Sequence, residues 1–178
     1  MTVTPLAIAG YPKFLYEKDV DGKYASNKYT LEVRIPKETE GTAAFVKDLL
    51  KQHADAGDNQ YPPVQDGDKS EAKSDKRREW AAGHWTMKFK TTRPPTIVDS
   101  KKQPLGKDKI DGGDVVKIAF NAKPYPLNGG GLAMYLNAVQ LIEKRGGGGV
   151  DEFSEEDGFA ASSAAGDAFG ETEDDGDF

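Results

Sequence analysis

Four consecutive glycines, Gly146 to Gly149, divide this chain of 178 residues into two stretches that obey different physics. Beyond them every charged side chain is acidic: residues 146–178 hold eleven Asp and Glu, with no Lys and no Arg. Such a stretch repels itself and holds too little apolar surface to offset its chain entropy. A disordered tail on a flexible Gly linker is therefore expected. Folding must be accomplished by residues 1–145, enough for one domain of ordinary size. The net charge of −6 then splits into +5 on the domain and −11 on the tail. A basic body carrying its own polyanion points to a second polyanion as its ligand.

Within residues 1–145 the apolar period is mostly two. Residues 28–35 place Tyr29, Leu31, Val33 and Ile35 on one face and Thr30, Glu32 and Arg34 on the other, and Pro36 ends the run. Residues 84–91 repeat the pattern with Trp85, Met87 and Phe89 against His84, Thr86, Lys88 and Lys90. Residues 6–16, broken by Gly10 and Pro12, suit a bent or bulged strand. Residues 96–99 suit a short strand, and 114–121 and 131–143 suit two long ones separated by Pro124, Pro126 and Asn128-Gly129. Helical spacing appears once, over 42–54, with Phe45, Val46, Leu49 and Leu50 as the apolar stripe. Residues 58–75, rich in Asp, Gly, Lys, Ser and Pro, are expected to form a long mobile insertion outside the core. About five strands with one helix fit a small closed barrel better than a sandwich. The expected fold is mainly β, an OB-fold-like barrel over 1–145 followed by the acidic tail over 146–178.

Catalytic constellations are missing. With no cysteine there are no disulfides, thiolate metal sites or thiol nucleophiles. His53 and His84 lie in no metal-ligand spacing and are expected to be exposed polar residues. Gly129-Gly130-Gly131 lacks the Lys-Ser/Thr of a phosphate loop and is expected to form a wide hairpin turn. Neither an enzyme nor a cofactor is implied. No apolar run approaches a membrane span and no signal peptide opens the chain, so the expected compartment is the cytoplasm.

Binding chemistry is better represented. Proteins hold single strands by cations that follow phosphates and by aromatic faces that stack on bases. Three stretches interleave the two: Lys13, Phe14 and Tyr16; Arg77, Arg78 and Trp80 through Lys88, Lys90 and Arg93; and Lys117 to Lys123 and Tyr125. Trp80 and Tyr125 have polar or turn neighbours and are the expected exposed stacking residues. Trp85 shares its face with Met87 and Phe89 and is expected in the core. Phe14 and Tyr16 share a face that the pattern leaves open as inside or outside. The same charges would also serve a nucleic-acid chaperone, a duplex-binding architectural protein or a protein-interaction adaptor.

The run from Gly112 to Asn121, followed by Tyr125 and then by Gly129 to Gln140, resembles tailed-phage replication single-stranded-DNA-binding proteins, as does an acidic tail that ends in an aromatic. The resemblance implies an OB-fold and sequence-independent binding of single-stranded DNA during phage replication, recombination or repair, in the host cytoplasm, with duplex DNA a weaker ligand. It also implies that the tail contacts replication proteins, with Asp174, Asp175, Asp177 and Phe178 as the partner-binding end. Bacterial housekeeping relatives end in Pro-Phe; here Asp177 precedes Phe178.

Overall fold

The computed structural model describes residues 1–145. Eight strands occupy them: β1 (Thr2–Val3), β2 (Ala7–Ala9), β3 (Tyr29–Pro36), β4 (Val64–Asp66), β5 (His84–Thr91), β6 (Thr96–Val98), β7 (Val115–Tyr125) and β8 (Gly131–Glu143). Three α-helices intervene: α1 (Lys13–Tyr16), α2 (Thr42–Ala56) and α3 (Asp75–Ala81). All strands belong to one sheet, and five of them close a ring in the order β7–β2–β3–β5–β8 and back to β7. The mainly β, OB-like expectation holds. The closure, however, is a ring-like sheet rather than a complete barrel, because β5 meets β8 at a single bridge, Lys90 opposite Tyr135. Short strands fill the places the ring leaves. β1 extends the line of β2 along β7, β6 follows β5 along β8, and β4 covers the first half of the β5 edge.

Alternation builds the interior. Leu31 faces Phe89 and Val33 faces Met87 across β3 and β5, all four buried. Val116, Ile118 and Phe120 of β7 meet Leu132, Met134, Leu136 and Val139 of β8 in the same core. Phe120 lies 5.1 Å from Phe89 and 6.1 Å, edge to face, from Phe45 of α2, so the helix closes one end of the ring. The long β7–β8 ladder shifts register between Ala119 and Phe120, where Asn137 is the extra residue. Such a bulge sharpens the twist that bends a sheet towards closure. Trp85 is half-buried against the core, as its face partners require, and Lys37 lies 5.0 Å above its ring.

Four local expectations are corrected. Residues 6–16 are not one bent strand: the ladder ends at Ala9, because Pro12 has no N–H to offer it, and one turn of α1 follows. There are three α-helices among the described residues rather than one. Residues 58–75 are not wholly outside the core: β4 pairs through its backbone with β5 and buries Val64, a contact that polar composition conceals. His53 is buried, not exposed. It extends the inward stripe Thr42, Val46 and Leu49 by one turn, and both ring nitrogens are used, Nδ1 accepting from the Leu132 N–H and Nε2 bonding the Asn59 carbonyl.

That histidine ties α2 to the β7–β8 turn, and the glycines there serve close approach as well as turn geometry. Gly57 packs against the Gly129–Gly130 backbone with no room for a Cβ, which would collide with the Gly129 carbonyl oxygen, while Asp58 and Asn59 donate N–H groups to the Gly129 and Gly130 carbonyls. Asn128, Gly129 and Gly130 all have positive φ, as the expected wide turn requires.

Candidate nucleic-acid interface

The same alternation that fills the core decides what faces out. With Leu31, Val33 and Ile35 inside, β3 places Thr30, Glu32 and Arg34 on its other face beside Lys90, Lys88 and Thr86 of β5, where the two threonines are covered and Lys88 and Lys90 are exposed. Beyond Met87, β5 parts from β4 and is not yet joined to β8, and the seam opens into a cleft of about 350 Å3. Lys28, Lys88, Lys90, Pro63, Met134 and Tyr135 line it. Tyr135 stands on its lip with 44% of its surface exposed, because its neighbours Met134 and Leu136 point into the core.

Three lysines at one seam repel one another. Although exposed as a side chain, Lys90 has a partly desolvated ammonium. That desolvation, then Lys88 and Lys28, hold its pKa below the ordinary lysine range, and Asp19 only partly opposes them. Among the described residues none of the three forms an ion pair. An anion seated in the cleft would relieve the repulsion, and Tyr135 offers an aromatic face beside it.

The structure gathers only part of the expected set here. Lys88 and Lys90 line the cleft, and Lys123, outward on β7 opposite Ala133, lies on the adjoining face. Arg93 is exposed just past the end of β5, and Lys117 lies six residues before Lys123 on the same face of β7.

The remaining candidates are already engaged. Arg77 pairs in bidentate fashion with Glu32, and Arg78 pairs with Asp75. Trp80 is half-buried, with the Arg77 guanidinium 4.3 Å and the Arg34 guanidinium 5.4 Å from its ring, so it staples α3 onto β3 rather than standing free. Tyr125 folds over Gly131, where a Cβ would lie 2.7 Å from its hydroxyl oxygen. On α1, Lys13 pairs with Glu17 at 3.6 Å and lies 5.3 Å from the Phe14 ring centre. The Tyr16 hydroxyl accepts a 2.6 Å bond from the Ile110 N–H, and burial raises its pKa. Asp174, Asp175, Asp177 and Phe178 lie outside the described residues.

Two cleft residues escaped the sequence reading. Lys28 precedes the first alternating residue of β3 and carries no pattern of its own. Tyr135 was legible, since Leu132, Met134 and Leu136 leave it on the opposite face of β8. Among the described residues no cluster of His, Asp and Glu could hold a metal ion, and no helix is long and apolar enough to cross a membrane.

A five-strand ring capped by one helix, with an exposed aromatic beside lysines that form no ion pair among the described residues, is an OB-like architecture. Residues 7–178 match the family described as Enterobacter phage Enc34, ssDNA-binding protein, and the chain belongs to that family of phage single-stranded-DNA-binding proteins. Its fold is similar to that of the bacteriophage Enc34 protein in complex with ssDNA, with a TM-score of 0.60, 18% identity, and 80% of this chain covering 86% of that one. It is similar also to gp2.5, a single-stranded DNA binding protein encoded by bacteriophage T7, with a TM-score of 0.61, 19% identity, and 87% of this chain covering 97% of that one. At these identities the likeness establishes the fold. No curated protein matches the sequence significantly.

Proposed function

We propose that this protein binds single-stranded DNA without regard to sequence, through the seam between β5 and β8, during phage DNA replication, recombination or repair in the host cytoplasm. The observation that carries the reading is the lysine cluster at the seam, which forms no ion pair among the described residues and has Tyr135 on its lip. Ammonium groups recognise phosphate, and an aromatic face accepts any base, so neither reads a sequence. Membership of the family supports the ligand class, as does the Enc34 relative whose structure holds ssDNA.

The acidic segment 146–178 belongs to the same proposal. Its eleven carboxylates compete with phosphate for lysines at low salt, and its end, Asp174, Asp175, Asp177 and Phe178, recruits replication proteins. Charge complementarity between this segment and the basic residues 1–145 supports it. Fluorescence anisotropy of labelled oligonucleotides tests the proposal. Oligomers of thymidine, of cytidine and of mixed sequence should bind the full chain within a few-fold of one another, and duplex should bind more weakly. A strong preference for one sequence, or duplex bound as tightly as single strand, refutes it.

A further inference from the structure

The acids of this chain are unevenly placed. The whole sequence holds 30 Asp and Glu, yet from Val115 to Ile142, all of the β7–turn–β8 unit except its last residue, Glu143, there is none. Its only charges are Lys117 and Lys123, and both face outward, because Val116, Ile118 and Phe120 face in. Between them on β7 lie Ala119 and Asn121. Across the ladder, Lys123 is opposite Ala133, Asn121 opposite Tyr135, Ala119 opposite Ala138 and Lys117 opposite Gln140. Tyr135 is therefore shared: it forms the lip of the cleft and also begins this second face.

At the far end the face drops into a shallow trough of about 160 Å3. Val3 of β1 and Val98 of β6 wall it, Ala119 and Ala138 form the floor, and Lys102 and Lys117 stand at the rim. Lys102 has a left-handed backbone, φ 65°, in a turn closed by its N–H to the Asp99 carbonyl at 3.1 Å. The Gln140 side chain holds the same turn by donating to the Asp99 and Ser100 carbonyls at 3.3 and 3.1 Å. Among the described residues Lys102, Lys117 and Lys123 form no ion pair.

Resting on the reading of the cleft given above, we infer that the bound single strand continues past Tyr135 along the outer face of β7 and β8, and that Lys117 and Lys102 hold its phosphates at the trough. The absence of carboxylates from this stretch of the face suits a polyanion, and its continuity with the cleft through Tyr135 selects the single strand over an acidic polypeptide. The six residues from Lys123 to Lys117 span about 20 Å at roughly 3.3 Å per residue. That length corresponds to about six nucleotides at the duplex rise of roughly 3.4 Å per strand. The protein therefore has a two-part site, a cleft that captures a short strand and an outer track that only a longer one reaches.

The test measures full-chain affinity for thymidine oligomers against salt, with the Lys102→Gln/Lys117→Gln double variant. No ion pair is lost among the described residues, so the fold is retained, and Lys47→Gln/Lys51→Gln on the exposed side of α2 serves as a charge-matched control. With an oligomer of about three nucleotides, which spans roughly 10 Å and cannot reach from the cleft to the trough, variant and unaltered protein should bind alike. With one of about twenty, the double variant should lose two phosphate contacts. Its log–log salt slope should fall by about 1.4, and its affinity should drop about tenfold at 0.15 M salt. The control should leave both oligomers unaffected. Unchanged binding of the long oligomer, or an equal loss for both lengths, overturns the outer track and leaves the cleft standing. Failure of the unaltered protein to bind either oligomer removes the cleft reading itself.

Discussion

Removing the charge from the seam without removing its side chains isolates the electrostatic part of binding. The variant is Lys28→Gln/Lys88→Gln/Lys90→Gln, which keeps much of each aliphatic stem and breaks no ion pair among the described residues. If each lysine neutralises one phosphate, the log–log salt slope for single-stranded DNA should become shallower by about 2, at roughly 0.7 per contact. Between 0.15 M and 1 M salt each such contact is worth about fourfold, so the triple variant should bind about fifty-fold more weakly at 0.15 M and nearly match the unaltered protein at 1 M. Stability should move the other way. Lys90 is held below its ordinary pKa, so its protonated form is disfavoured by folding, and stability rises as pH climbs through the window just below the ordinary lysine value. Neutralising the cluster removes that repulsion, so thermal unfolding of the triple variant should occur at the same or a higher temperature. The assay is anisotropy across a salt series, paired with circular dichroism melts. A salt slope unchanged by the triple substitution refutes the assignment of these lysines to phosphate, whatever happens to affinity.

Tyr135→Ala should weaken binding by about 1–3 kcal/mol, the worth of one stacked base, with little change in melting temperature; Tyr125→Ala, whose ring covers Gly131, should instead lower stability and leave the intrinsic affinity near normal. Gly131→Ala would bring a Cβ to 2.7 Å from the Tyr125 hydroxyl and 2.9 Å from His53, so denaturant unfolding should show a loss of about 1–3 kcal/mol from overpacking. Lys37 bridges Asp66 and Asp68 at 2.5 Å each, which lowers both carboxyl pKa values and raises its own. The carboxylates' contribution is therefore present above the ordinary carboxyl range and lost as pH falls through their lowered values, so the melting-temperature gap between the unaltered protein and Lys37→Met should shrink below about pH 4; a gap that persists at pH 2 contradicts the bridge.

Strong alternation made the longest elements legible. His84–Thr91 and Gly131–Glu143 lie where the period of two places them, because burial of one sheet face leaves a mark at every second residue. What escaped was held by backbone rather than by side-chain pattern. β4 pairs through three residues of which only Val64 is buried, and α1 is a single turn that follows Pro12. α3 buries little more than Ala81 and is stapled by the Arg77, Glu32 and Trp80 contacts, which no spacing within 75–81 announces. His53 was legible in principle, since it continues the stripe from Thr42, Val46 and Leu49, but a polar side chain on an apolar stripe looks like its end. Of the residues that line the proposed seam, the legible ones are the two outward lysines of β5. Lys88 and Lys90 follow from alternation, whereas Arg77, Arg78 and Trp80 looked free because their partners are distant in sequence or lie on a neighbouring turn.

In the proposed complex single-stranded DNA lies at the β5–β8 seam. Photocrosslinking of the full chain to a single strand carrying 5-bromodeoxyuridine, followed by mass spectrometry of the peptides, tests it most directly. Crosslinks are expected at Tyr135, with the peptides carrying Lys88 and Lys90 protected from amine modification in the complex and restored to reactivity at about 1 M salt. Crosslinks confined to α1 or α3, at Phe14, Tyr16 or Trp80, with Tyr135 unlabelled and the seam lysines as reactive as in the free protein, would contradict it.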